Sequence, residues 1–323
     1  MKKSGVILVN LGTPESTTVA DVRLFLRQFL SDPRVIDLPR LLWWPVLHGV
    51  ILPFRAKKSA QMYAQIWDEA RFGGSPLLYY TKQQTENLGQ RLPDTLVRYA
   101  MSYSQPTIET VLQEMIAAQV TELTLIPMYP QFSGTTVGSV MDTVMAFFRG
   151  KAHLPNLHLI SDFYDDPGYI QVLADSIQTV LDAHPDIQQV LFSYHGVPKR
   201  YIDQLQDPYY DQCHVTTELT MERLDHAVPY QMTFQSKFGS GQWLTPATID
   251  TIQALPQAGI TNVAVVTPSF TADCLETLYE IGHENQRVFK ANGGTNFTLI
   301  PPLNDQDAFI DFLAELVRKN STA

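Results

Sequence analysis

Cysteine is nearly absent: Cys213 and Cys274 are the only thiols in 323 residues. Two thiols cannot supply the four Cys ligands of an ordinary iron–sulfur cluster, and such sparse use fits a reducing compartment. Long apolar runs are missing too. The longest, Leu41 to Leu52, contains Pro45 and His48 and is too short to span a bilayer. The opening run Gly5-Val6-Ile7-Leu8-Val9 stops at Asn10 and turns at Gly12-Thr13-Pro14, too short for a signal-peptide core. No run of Lys and Arg alternates with aromatics, and the net charge is −10, so no nucleic-acid partner is expected. Neither a P-loop nor a G-x-G-x-x-G occurs. Gly239-Ser240-Gly241 resembles neither, and Gly73-Gly74-Ser75-Pro76 reads as a loop entering a helix. Ser139 and Ser193 lack a nucleophile-elbow context. A soluble, cytoplasmic protein is expected.

Apolar residues make up 45% of the chain and charged ones 17%, enough for a large core or two. Short β-rich runs alternate with helical patterns. Strands are expected near Gly5–Asn10, Leu96–Ser102, Glu122–Pro127 and Leu157–Ile160, then near Gln188–Ser193, Tyr230–Phe234, Asn262–Thr267 and Phe297–Ile300. Apolar strands alternating with helices imply parallel sheets covered on both faces. The expected class is α/β: two similar Rossmann-like domains, each a four-stranded parallel sheet flanked by helices, with a cleft between them. The boundaries read as 1–155 and 156–304, with a C-terminal helix at 305–323 packing back on the first domain. The halves echo each other: Thr107-Ile108-Glu109-Thr110 matches Thr248-Ile249-Asp250-Thr251 at an offset of 141, which also carries Pro127 onto Pro268.

Ligands in such folds bind at the carboxyl ends of strands. His195, in Ser193-Tyr194-His195-Gly196-Val197-Pro198, sits at one such end. Glu276, Glu280 and Glu284 follow another, spaced i, i+4, i+8 on a helix with no Lys or Arg from Thr271 to Glu284. A solvated acidic face and a cation path both fit that spacing. The segment Leu38 to Phe54 breaks the alternation with aromatics and prolines, followed by Arg55, Lys57 and Lys58. It reads either as a buried excursion or as an apolar flap that could touch membrane.

Five stretches together resemble ferrochelatases, particularly those of Gram-negative bacteria. They are Leu8-Val9-Asn10-Leu11-Gly12-Thr13-Pro14, Tyr129-Pro130-Gln131-Phe132-Ser133, the His195 stretch, Phe234-Gln235-Ser236-Lys237-Phe238 with Trp243-Leu244, and Phe270-Thr271-Ala272-Asp273-Cys274-Leu275-Glu276-Thr277-Leu278. The resemblance implies insertion of Fe2+ into protoporphyrin IX to form protohaem with release of two protons. It implies His195 and Glu276 as catalytic residues and His195, Glu276 and Glu280 as metal-binding ones. Leu11, Tyr209, Trp243 and Phe270 match porphyrin-contacting positions, and Leu41–Phe54 matches the family's hydrophobic lip. Cys274 stands where some members have His, and Leu11 where others have Tyr or Met.

Fe2+ is then a substrate, with no permanently bound cofactor and no iron–sulfur cluster. The expected partners are protoporphyrin IX and Fe2+, with peripheral membrane contact through the flap, and the chain is expected to be a monomer. A chelatase for another tetrapyrrole or metal and a non-catalytic porphyrin or haem carrier remain open. A two-lobed solute-binding protein has the right shape but lacks an export signal.

Overall fold

The computed structural model describes residues 2–225, 228–238 and 241–321. Gly239 and Ser240 of the Gly239-Ser240-Gly241 stretch lie outside them. The chain divides into two units: residues 1–129, 133–162 and 305–323 form the first, and 130–132 with 163–304 the second.

The first unit is built on β1 (Ser4–Asn10), β2 (Thr95–Met101), β3 (Glu122–Pro127) and β4 (Asn156–Leu159), all parallel and ordered β2-β1-β3-β4. β1 is buried from Gly5 to Asn10, as a central strand covered on both faces must be. The helix Ile108–Ala117 presents Ile108, Val111, Leu112 and Met115 at i, i+3, i+4 and i+7, one apolar stripe that packs on Ile7, Val9 and Leu125. Thr107 caps it by accepting the Thr110 N–H at 3.2 Å. The terminal helix Asp307–Ser321 belongs to this unit, where Arg91 pairs with Asp307 and Asp311 and its carbonyl accepts from Arg318.

The expected boundary at 155/156 is corrected. β4 pairs with β3, so the strand after residue 155 completes the first sheet, and the chain leaves this unit only after Asp162. Residues 130–132 also belong with the second unit.

The second unit repeats the plan with β5 (Gln189–His195), β6 (Tyr230–Gln235), β7 (Asn262–Val266) and β8 (Asn296–Leu299), ordered β6-β5-β7-β8 and parallel. All eight strands lie within two residues of their expected bounds. The repeat also holds: Thr107 caps the helix after β2, and Thr248 begins the helix Thr248–Ala254 after β6.

The flap segment is helical. It forms the helix Arg40–Val46, a π-turn Leu47–Ile51 and the helix Leu52–Ile66. Leu47 and Leu52 are buried, while Leu41, Leu42, Trp44 and Phe54 stand 91%, 68%, 56% and 76% exposed. Trp43 turns inward and donates its indole N–H to the Leu30 carbonyl at 2.7 Å. Among the described residues no helix is long and apolar enough to cross a membrane.

Candidate active site in the second unit

The strand order reverses direction of winding between β5 and β7, and ligand sites favour the carboxyl ends of strands at such a switch. β5 outruns β7 there: Phe192 pairs with Val266, while Tyr194 and His195 extend beyond, paired only with β6. His195 is therefore presented at the sheet edge, half-buried. Its ring centroid lies 6.3 Å from that of Phe270, which enters from the turn after β7.

The imidazole geometry settles which nitrogen is available. Nδ1 lies 2.7 Å from the Gly196 carbonyl, which can only accept, so Nδ1 carries the proton and the lone pair sits on Nε2. Burial pushes the His195 pKa below its ordinary value, against the charge of Glu276 and the Gly196 contact, which both raise it. Burial thus favours the neutral ring, while the Glu276 charge favours the protonated one.

Gly196 has to be glycine. A Cβ there would lie 2.7 Å from the Gln235 carbonyl oxygen, the same atom that accepts the Gly196 N–H at 2.8 Å. Replacing Gly196 with Ala is expected to cost about 1–3 kcal/mol through overpacking against backbone that cannot yield. A thermal melt reads this directly, and an unchanged Tm would show that the loop has slack.

Trp243 borders the same loop, bridging to Pro198, and Leu244 donates to the Val197 carbonyl at 3.1 Å. A cavity of about 400 Å3 is lined by Gly196, Gln235 and Trp243, with Lys199 and Lys237. Tyr209, expected to contact substrate, begins the helix Tyr209–Met221. It is only 4% exposed, and its hydroxyl lies 2.7 Å from the Ser269 hydroxyl, so it props the turn that carries Phe270. Leu11 belongs to the first unit, half-buried just past β1, its N–H bound to Asn10 Oδ1 at 2.9 Å.

The acids lie on a π-helix, Leu275–Asn285, eleven residues long. π-winding is rare and clusters at functional sites. In an α-helix four residues overshoot a full turn by about 40°, whereas in the wider i→i+5 winding four residues fall short of a full turn, so Glu276, Glu280 and Glu284 drift in the opposite sense around the axis. Glu276 is half-buried. Glu280 is more tied down than its sequence spacing suggests. Its carboxylate accepts the Ser236 N–H at 2.6 Å, the Ser236 hydroxyl, and the Gln235 amide at 3.3 Å. Burial nevertheless raises its pKa, against those three donors and with a further push from Glu284. Among the described residues no three His, Cys, Asp or Glu side chains converge as a ready metal cage.

Sequence reasoning did not single out Gln235 as a junction. Its carbonyl binds Gly196, its side-chain oxygen accepts the Ser193 hydroxyl at 2.8 Å, and its amide reaches the Glu276 carbonyl at 3.1 Å. A Gln ending a strand carries no pattern that would reveal this. Ser193 is fully spent in the same network, lying 2.8 Å from Thr248 as well.

Comparison with known proteins bears on the family and the fold. The family model described as Ferrochelatase matches residues 3–321. A coproporphyrin III ferrochelatase of Enterococcus faecalis is 44% identical over 317 residues, covering 98% of this chain and 99% of its own. The ferrochelatase of Shigella dysenteriae serotype 1 is 44% identical over 316 residues, covering 98% of both chains. Among solved structures, SirB from Bacillus subtilis with Fe3+ matches 99% of this chain and 96% of its own at a TM-score of 0.56 and 10% identity. CbiX, the terminal enzyme of sirohaem biosynthesis in denitrifying bacteria, matches 98% of this chain and 99% of its own at a TM-score of 0.54 and 12% identity. At such identities these two speak for the fold alone. The sequence matches run over nearly the full length and include the loop that presents His195 and the helix that carries Glu276, and the chain belongs to the ferrochelatase family.

Proposed function

We propose that this ferrochelatase inserts Fe2+ into protoporphyrin IX, forming protohaem and releasing two protons. The observation that carries the reading is His195: an imidazole with Nδ1 occupied, Nε2 free of that bond, and Phe270 beside it. Each pyrrole N–H must lose its proton before its nitrogen can bind iron, and a neutral imidazole is a suitable acceptor near pH 7. The same lone pair can ligate the arriving Fe2+. Glu276 adds a carboxylate, which holds a hydrated divalent cation and yields it to better nitrogen donors. Glu280 and Glu284 add negative charge along the same helix. Phe270 and Trp243 offer aromatic surface suited to a flat apolar ring.

The choice of porphyrin rests on the flap, whose apolar surface suits a dicarboxylate ring better than precursors with many carboxylates. The coproporphyrin III enzyme of E. faecalis, at 44% identity, favours the second reading, a tetracarboxylate substrate. Anaerobic assays with Fe2+ or Zn2+ and each porphyrin decide between them. The expected result is metalloporphyrin well beyond one equivalent of protein, with the higher kcat/KM for protoporphyrin IX. Uptake stopping at one equivalent would make the protein a carrier, and a preference for coproporphyrin III would reassign the substrate.

No resident cofactor is proposed. The purified, active protein is expected to lack iron–sulfur absorbance, because Cys213 and Cys274 are both buried single thiols. A cluster band lost on replacing either cysteine would contradict this.

The flap is proposed to make peripheral membrane contact. Leu41 and Phe54 are large, apolar and mostly exposed, with Lys57 and Lys58 nearby in sequence and exposed as well. Replacing Leu41 and Phe54 together with Ser is expected to cut co-sedimentation with anionic phospholipid vesicles at least fivefold at unchanged Tm. Unaltered sedimentation would remove the membrane role.

A further inference from the structure

Asp273 and Asn304 have no part in the chemistry described above. They are 31 residues apart, and both are buried, at 7% and 8% exposure. Asn304 is the last residue of the second unit before the chain returns to the first at Asp305. Its φ is +49°, a left-handed conformation that Asn adopts more readily than most residues.

From that position Asn304 grips the segment before the π-helix three times. Its N–H donates to the Thr271 carbonyl at 3.0 Å. Its side-chain oxygen accepts the Asp273 N–H at 2.8 Å, and its amide donates to Asp273 Oδ2 at 2.9 Å. The other oxygen of Asp273 receives the Thr277 hydroxyl at 3.0 Å, and Thr277 Oγ1 accepts the Cys274 N–H at 3.0 Å. Thr277 is fully buried and directly follows Glu276.

A π-helix of eleven residues is an uncommon winding, and long stretches of it need support. Relaxation of the first turn towards α-geometry would rotate Glu276 by tens of degrees relative to Glu280. The Glu280 end is held by Ser236 and Gln235. The Glu276 end is held by the Asp273–Thr277–Asn304 clasp. We propose that Asn304, acting through Asp273 and Thr277, is a positioning residue that keeps Glu276 in register with Glu280 on the π-helix. The proposal rests on the role given to Glu276 above.

Four proteins test it: wild type, Asn304→Ala, Asn304→Asp, and the exchange Asp273→Asn with Asn304→Asp. The exchange keeps every hydrogen bond of the clasp, because the amide then donates from position 273 and the carboxylate accepts at 304. Asn304→Asp alone sets two carboxylates face to face. Asn304→Ala and Asn304→Asp are expected to lower kcat at least fivefold and to raise the Fe2+ KM. Protoporphyrin affinity, read by fluorescence quenching, should stay within twofold. The exchange is expected to restore both kinetic constants. Hydrogen exchange of residues 275–280 should quicken in the single variants and recover in the exchange. If Asn304→Ala fails to fold, Asn304→Asp against the exchange carries the comparison. The proposal is overturned if the exchange stays as impaired as Asn304→Asp, or if a folded Asn304→Ala keeps kcat and Fe2+ KM within twofold. Absence of turnover in wild type would instead overturn the ferrochelatase reading, with the exchange kinetics of residues 275–280 still testing whether the clasp pins the helix.

Discussion

His195→Ala is expected to lose more than nine-tenths of wild-type kcat, a barrier increase above about 1.4 kcal/mol, while porphyrin affinity changes little. The side chain is half-buried at the end of β5 and its hydrogen bond is to the carbonyl of the adjacent Gly196, a contact within the loop itself, so little of the fold depends on it. What is lost is the Nε2 lone pair. The pH profile gives a second reading. Burial holds the His195 pKa below the ordinary value of about 6.5, so the active neutral form persists as pH falls through that value. The acid limb of kcat should therefore lie below pH 6.5. A variant keeping more than a tenth of kcat, or an acid limb above that pH in the wild type, would remove His195 from the chemistry.

Glu276→Gln should cut kcat at least tenfold and move the acid limb of the remaining activity to still lower pH. The direction follows from charge. Glu276 raises the His195 pKa, opposing burial, so neutralising it leaves burial less opposed and the imidazole harder to protonate. A limb that stays in place, measured on the residual activity across pH 5–8, would show that the two groups do not act together. A kcat within twofold of wild type would make Glu276 part of an ordinary acidic face.

Much of the fold was legible in advance because its signals are local. Unbroken apolar runs such as Val6–Val9 mark central parallel strands, and the stripe Ile108, Val111, Leu112, Met115 marks a helix packed on one side. The fourth strand of the first set, near Leu157–Ile160, is legible as a strand, but the boundary drawn at 155/156 falls before it, because the point where the chain leaves a unit depends on which strand β4 pairs with and carries no local signal. The flap was recognised by its composition, but its helices, and the split between inward Trp43 and outward Trp44, depend on contacts such as the Leu30 carbonyl.

For the candidate site, the sequence by itself determined the chemical types: an imidazole at a strand end, carboxylates every fourth residue, and aromatics near both. Only the tertiary structure decided how those groups are disposed. His195 meets Phe270 because β5 and β7, 74 residues apart at the paired Gln189 and Val263, lie side by side in the sheet. Tyr209 is tied to the turn after β7 by a hydroxyl contact with Ser269. Glu280 is occupied by Ser236 and Gln235, and the start of the π-helix is held from Asn304. The physical reason is range. Periodicity and strand propensity act over a few residues and leave a trace in every window, whereas a hydrogen bond between distant residues depends on the final packing of both and leaves none in either segment alone.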